Sequence, residues 1–262
     1  MTQLLDIAVN SLRPFRFRGK GRLFDSFCPR NGSRRATLFG YTIDLDLEDE
    51  IQRNVWLGTY ELRETSLVKS HLRKGMTFLD VGANIGYYSL MAAAYAGPSG
   101  RVVSFEPSPM SYRHFKKTVD ENGILNITIE QAALSDVAGE GQLFVPKEQG
   151  NNTPTMVANS GGRAVPVPVV TLDEYLERNR IGRIDFMKVD VEGFEPKVIA
   201  GAQSAIRAKR IGAIICEFQG EWLRANGTTP KDFYEFMTSL DLKPSEEPTA
   251  SSLEWGNILF MA

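Results

Sequence analysis

The chain has 262 residues, a hydrophobic content of 42%, a charged content of 24% and a formal net charge of −2. Those values describe a soluble globular protein with room for one large core, and the near-neutral balance gives no reason to expect nucleic acid as a partner. Cys28 and Cys216 are too few and too far apart for a disulfide framework or a zinc site, and no apolar run approaches membrane-span length. Asp6 and Asn10 interrupt the first apolar stretch and no basic segment precedes it, which argues against a secretory leader. A reducing, cytoplasmic setting is the default expectation.

Leu5, Ala8, Val9 and Leu12 have helical spacing, which Pro14 ends. Residues 13–23 then interleave arginines and Lys20 with Phe15 and Phe17, as expected of a solvated extension that lays its aromatics on the domain. Residues 37–47 read as two short strands around Gly40, and residues 49–56 and 61–72 as helices separated by Gly58-Thr59-Tyr60. Residues 1–75 are therefore expected to form an N-terminal extension and cap over the sheet edge or the mouth of a site. The main domain is expected over residues 76–262.

Residues 76–91 are the stretch around which the main domain is organised. Phe78, Leu79 and Val81 make a short apolar run around Asp80, then come Gly82-Ala83-Asn84-Ile85-Gly86, then a helical pattern through Tyr88, Leu90, Met91 and Ala94. A buried strand, a glycine turn and a helix N-terminus let the backbone approach a cofactor closely. The spacing is wrong for a dinucleotide, because Asn84 and Tyr87 stand where a G-x-G-x-x-G fingerprint needs glycine. Asp80 would repel a pyrophosphate and suits the ammonium of an amino-acid cofactor.

Residues 101–105 read as the next strand, ending in Glu106-Pro107 about twenty residues after the turn, where an acid can accept from both ribose hydroxyls. Ser108 and Pro109 open a helix, and residues 126–130 form a third strand. The small residues Ala132 and Ala133 at its end would let a flat adenine lie against the backbone. Strands over 139–145 and 164–170 flank a stretch of Asn, Gly and Pro at 147–163, a candidate substrate lid. Thr171 is placed to N-cap a helix, with Glu174 three residues on. Residues 184–189 form a fourth parallel strand interrupted by Lys188, with Asp190 and Glu192 at its carboxyl end. Three ionisable groups there are costly unless they pair or do chemistry. A fifth strand over 211–216 ends in Glu217, residues 230–240 form a helix, and residues 258–260 a last strand.

From about residue 50 to 257, several ordered pieces resemble the FkbM family of S-adenosylmethionine-dependent methyltransferases. They are G-T-Y-E (58–61), F-L-D-V-G-A-N-I-G-Y-Y-S (78–89), S-F-E-P (104–107), A-L-S-D (133–136), V-T-L-D (170–173) and M-K-V-D-V-E-G-F-E (187–195). The resemblance implies an α/β, class I methyltransferase (Rossmann-like) fold, a seven-stranded mostly parallel sheet with helices on both faces and the last strand antiparallel. It also implies O-methylation of a hydroxyl on a sugar, glycan or natural product, with S-adenosylmethionine as donor. Residues 1–48 lie outside it.

Ligands sit at the carboxyl ends of such strands, so Asp80, Glu106, Ala133, Asp190 and Glu217 are expected to ring one mouth. Asp80 is assigned to the cofactor ammonium and Glu106, beside Pro107, to the ribose. Gly82, Ala83, Asn84 and Gly86 would shape the wall, and Tyr88, Ser89 and Asp190 complete the expected cofactor contacts. A protonated alcohol is a poor nucleophile, so Asp190 or Glu192 is the expected base, with Lys188 setting its ionisation or steadying an alkoxide. Tyr60, Glu61 and Glu217 are candidates for holding the acceptor, a small-molecule or glycan hydroxyl. A divalent ion on Asp190, Glu192 and Glu217 is a further option. The competing readings are a nicotinamide-dependent oxidoreductase and a non-catalytic cofactor-binding module.

Overall fold

The computed structural model describes residue 9 and residues 28–145, 154–157 and 162–262. The basic-aromatic stretch at 13–23 and most of the expected lid fall outside those residues. Among the described residues no helix is long and apolar enough to cross a membrane.

The expected hairpin around Gly40 is present as β1 (Ser33–Leu38) and β2 (Tyr41–Asp46), followed by α1 (Glu50–Leu57) and α2 (Leu62–His71). Asp49 caps α1 by accepting from the Gln52 N–H, and Gly58 closes it in the left-handed region. Then come β3 (Thr77–Val81), α3 (Tyr87–Ala96), β4 (Arg101–Phe105), α4 (Pro109–Glu121) and β5 (Ile127–Glu130). Ser108 caps α4 with Pro109 in its first turn, as the sequence predicts.

The next strands depart from expectation. Ala133–Leu134 is not the tip of the third strand but a short strand of its own, β6. It pairs with β8 (Arg163–Val170), which pairs with β7 (Gly139–Val145) in a separate three-stranded sheet. After α5 (Leu172–Arg178), capped by Thr171, come β9 (Phe186–Val189), α6 (Glu195–Ala200), α7 (Gln203–Arg207) and β10 (Ala213–Gln219). The chain ends with α8 (Gly220–Ala225), α9 (Pro230–Ser239), β11 (Lys243–Pro244), α10 (Ala250–Glu254) and β12 (Trp255–Met261).

The main sheet has seven strands in the order β11-β12-β10-β9-β3-β4-β5. β3, β4, β5, β9 and β10 are mutually parallel, and β12 runs antiparallel to β10. Strands β3 and β9 are buried along nearly their whole length, the pattern of central parallel strands covered on both faces. One face packs against α2, α3 and the hairpin through Phe78, Phe186, Val102 and Ile215. The other packs against α5, α7 and α9 through Leu79, Met187, Val103 and Ile214. From β3 the chain winds outward through β4 and β5, then returns to build β9 and β10 on the opposite side. That reversal opens a crevice at the carboxyl ends of β3 and β9, where open α/β sheets take their ligands.

Candidate active site

Strand register places the site residues in rows. In the first row Asp80 of β3 has Ser104 of β4 on one side and Lys188 of β9 on the other, and Lys188 is followed by Ile215 of β10. These side chains share a face because alternate strand residues do. One step toward the carboxyl ends lie Glu106, Gly82, Asp190 and Glu217. All four line one pocket, together with Ala83, Asn84, Tyr88, Pro107 and Ala133, and with Tyr60 and Glu61 from the segment before α2. Glu192 and Lys188 line it as well. Most of the sequence candidates thus lie around this one pocket. Asp80, Ser89 and Gly86 stand behind the lining rather than in it. Pro154, Thr155 and Met156, from the described part of the expected lid, also reach the pocket.

The turn after β3 is wound tightly. Gly82 and Gly86 have φ of 85° and Asn84 between them has φ of 49°, three left-handed positions in five residues. A Cβ on Gly82 would overlap the carbonyl oxygen of Asp190, and one on Gly86 would enter the Phe115 ring. Gly82→Ala combines that overlap with a left-handed φ, so we expect a loss of at least about 2 kcal/mol of stability. A chemical denaturation midpoint matching wild type would refute the close approach of β3 and β9 at this level.

This winding aims the Asn84 N–H at Glu106, whose Oε2 accepts it at 2.7 Å while Oε1 accepts the Ser108 N–H at 2.8 Å. Burial nevertheless pushes the Glu106 carboxyl up to about 7, the two backbone donors opposing it. Asp80 is almost wholly buried; its Oδ2 accepts from the Ser89 hydroxyl at 2.5 Å, and that hydroxyl also meets Ser104 at 2.7 Å. Its Oδ1 accepts no hydrogen bond from the described residues. Burial raises the Asp80 carboxyl to about 6 against the pull of Lys188 and Ser89.

Lys188 is 2% exposed and is ion-paired with Oδ2 of Asp190, with its ammonium 4.6 Å from the centre of the Tyr88 ring. Burial works against that ammonium. The carboxylates of Asp190, Glu61 and Asp80 outweigh it and hold the Lys188 pKa above the ordinary lysine value. Tyr88 in turn donates its hydroxyl to Glu61 Oε2 at 2.5 Å. Burial raises the Glu61 carboxyl and Asp190 adds to it, while Lys188 and Tyr88 oppose. The Glu217 carboxyl is raised well above its usual range by burial and then by Asp190, Glu195 and Glu192.

Glu195 is a site residue that sequence reasoning passes over. It is 1% exposed, and its Oε1 accepts from the N–H groups of Val191 (2.9 Å) and Gly193 (3.2 Å), fastening the loop that carries Asp190 and Glu192. Glu192 and Gly193 on that loop are both left-handed, with φ of 55° and 90°. Glu61, ahead of α2, is left-handed too at φ of 37°. Three of the left-handed non-glycine residues, Glu61, Asn84 and Glu192, therefore border one pocket, where local strain is most readily retained for a purpose. The metal option finds no support in the arrangement. No three His, Cys, Asp or Glu side chains converge on a common point among the described residues, and Asp190 is paired with Lys188 instead.

The Methyltransferase FkbM domain matches residues 80–244, from the carboxylate of β3 to the last residue of β11. The chain belongs to the FkbM methyltransferase family. Two curated relatives are the hexuronic acid methyltransferase AglP of Haloferax volcanii and the 31-O-demethyl-FK506 methyltransferase FkbM of Streptomyces tacrolimicus. The first is 26% identical over 62% of this chain and 62% of its own length. The second is 27% identical over 51% of this chain and 62% of its own length. The chain spans about three fifths of the length of such relatives. Among solved structures, the precorrin-6y C5,15-methyltransferase of Geobacter metallireducens is 14% identical, with a TM-score of 0.45 over 77% of this chain and 87% of that one.

Proposed function

We propose that this FkbM-family chain transfers a methyl group from S-adenosylmethionine to a hydroxyl of a sugar, glycan or natural product. The observation that carries the reading is the charge of the pocket. Glu61, Glu106, Asp190, Glu192 and Glu217 line it with Asp80 behind, and Lys188 is the lone Lys or Arg among the described lining residues. Such a site favours a cofactor with an ammonium and a sulfonium and repels the pyrophosphate of a dinucleotide.

The residues fit that cofactor one by one. The unpaired Asp80 Oδ1 is a buried acceptor in want of a cationic donor, which the ammonium would supply. The first turn of α3 leaves its amides without intrahelical partners and suits the cofactor carboxylate. Glu106 keeps lone pairs beyond the two backbone bonds it accepts, enough for ribose hydroxyls. Ala132 and Ala133 leave a thin wall for a flat base.

Bound there, S-adenosylmethionine supplies an electrophilic methyl carbon that needs no further activation. The protein must hold the acceptor oxygen in line and take its proton. Asp190 is the base of this reading, with Glu192 beside it. Lys188 holds Asp190 through Oδ2. The Lys188 charge also lowers the cost of developing negative charge on the acceptor oxygen.

Two measurements test this. Incubation with methyl-labelled S-adenosylmethionine and an extract of the source cell is expected to label a hydroxyl-bearing sugar or natural product; labelling of nitrogen or carbon alone would refute it. Cofactor affinity should also follow pH. Asp80 and Glu106, raised to about 6 and about 7, hold protons in the folded protein that the unfolded chain releases near pH 4. Stability without cofactor is therefore fullest below pH 4 as far as these two groups go, and declines as pH rises through 6 and 7. Their ionised forms are the ones that grip a cation and hydroxyl donors. S-adenosylhomocysteine should thus bind roughly tenfold more weakly at pH 5 than at pH 8; affinity that is flat or falls with pH would contradict the assignment.

A further inference from the structure

Beyond Asp190 the row continues into side chains that methyl transfer as described does not use. Glu217 is paired with Asn257 across β10 and β12, and Gln219 with Trp255 one step nearer the mouth. By alternation these four share the face of Ile215 and Leu259, the face that also carries Lys188. Glu217 Oε2, Gln219 Oε1 and Asn257 Oδ1 are each buried and accept no hydrogen bond from the described residues. A buried acceptor left so bears the full cost of its desolvation. Three of them in adjacent register positions, two strands from the cofactor row, point to a ligand that brings donors.

Trp255 adds a different chemistry. It is 73% exposed, a large indole held in water at the start of a strand whose apolar neighbours Ile258, Leu259 and Phe260 are all buried. Asn257 and Leu259 also form one wall of a groove of about 850 Å³, whose other walls include Leu62, Ser66 and Ser70 of α2. α2 begins directly after Glu61, a lining residue of the pocket, so the groove and the pocket meet along this row. The three oxygen-bearing residues are each only partly buried; Glu217 lines the pocket and its register partner Asn257 lines the groove, so this pair spans the two.

A ligand that presents several O–H donors on its rim and a C–H face to an indole is a sugar ring. We infer that Trp255, Gln219 and Asn257, with Glu217, form a subsite for a neutral sugar ring adjoining the base: the ring lies on Trp255 and its hydroxyls donate to the three oxygens. The inference rests on the hydroxyl-acceptor reading and narrows it. A uronate would bring a carboxylate, which has no donor to offer to Gln219 Oε1 and Asn257 Oδ1. The carboxylates of Asp190, Glu195 and Glu192 already oppose a negative charge at Glu217.

The test uses the full chain saturated with S-adenosylhomocysteine and an immobilised panel of neutral oligosaccharides (gluco-, xylo-, manno- and galacto-) beside oligouronates. Wild type is expected to bind at least one neutral member and to prefer it over the uronates. Trp255→Ala and Asn257→Leu should each weaken that binding by about tenfold or more, with S-adenosylhomocysteine affinity unchanged. Thermal midpoints within wild-type range confirm that the variants fold, and Gln219→Leu serves as the second polar variant. Preference for uronates, binding indifferent to Trp255→Ala, or no glycan bound by cofactor-saturated protein would overturn the subsite while leaving the cofactor pocket standing. Failure to bind S-adenosylhomocysteine at all would instead bring down the methyl-transfer reading, and the subsite with it.

Discussion

Replacing Asp190 by Asn is expected to lower kcat by about 10²–10⁴-fold, the range over which a positioned general base acts. The Asn side chain keeps nearly the same shape and can still accept a bond from Lys188, but it cannot take a proton. Because Asp190 sits one row beyond Asp80 and across the mouth from Glu106, S-adenosylhomocysteine should bind to within about threefold of wild type. Glu192→Gln separates the two candidates. It should cost far less if Asp190 is the base, since Asp190 is ion-paired with the buried ammonium. Unchanged turnover in both variants, measured with labelled donor and a confirmed acceptor, would remove the carboxylate base from the mechanism.

The largest effect on stability is expected at Lys188. Its ammonium is buried among Asp190, Glu61 and Asp80 and lies over the Tyr88 ring. Removing one partner of a buried pair typically costs about 3–5 kcal/mol. Asp190 retains some contact with solvent, with 18% of its side chain exposed, so the lower end applies. Lys188→Met should therefore lose about 3 kcal/mol and several degrees in Tm. The pH dependence identifies the cause. Asp80 and Glu61 are already held above their ordinary pKa values, and without the lysine they rise further. Protonation at low pH relieves their repulsion, so the deficit should shrink toward pH 5 and widen toward pH 8. A deficit independent of pH would mean that lost packing, rather than lost charge, is responsible.

The centre of this molecule is readable in the sequence because its signals are local. Phe78 to Gly86 carries strand, turn and helix start within nine residues, and Glu106 follows at the end of the next apolar run. Lys188 is conspicuous as one charge inside an apolar strand, and the structure accounts for it with a carboxylate two residues away and another from the neighbouring strand. The features that escape a linear reading depend on register between distant segments. Ser89 reads as available for the cofactor, yet its hydroxyl is fully buried between Asp80 and Ser104. Nothing in the order of residues reveals that Glu195 fastens the loop behind Asp190, or that Tyr88 reaches back to Glu61, 27 positions earlier. Ala133 reaches the pocket as expected, but through a side sheet that its two-residue strand is too short to announce. The row from Glu217 to Asn257 exists only because β12 returns antiparallel, a pairing fixed in space and invisible along the chain.

The account turns on which charges meet the nucleoside, and a crystal grown with S-adenosylhomocysteine tests that most directly. It predicts the ribose hydroxyls within hydrogen-bond distance of Glu106, the amine directed at Asp80 itself or through a single water, and the base against Ala133. A nucleoside bound elsewhere, with Glu106 still engaged only by Asn84 and Ser108 and Asp80 Oδ1 still without a partner, would contradict it.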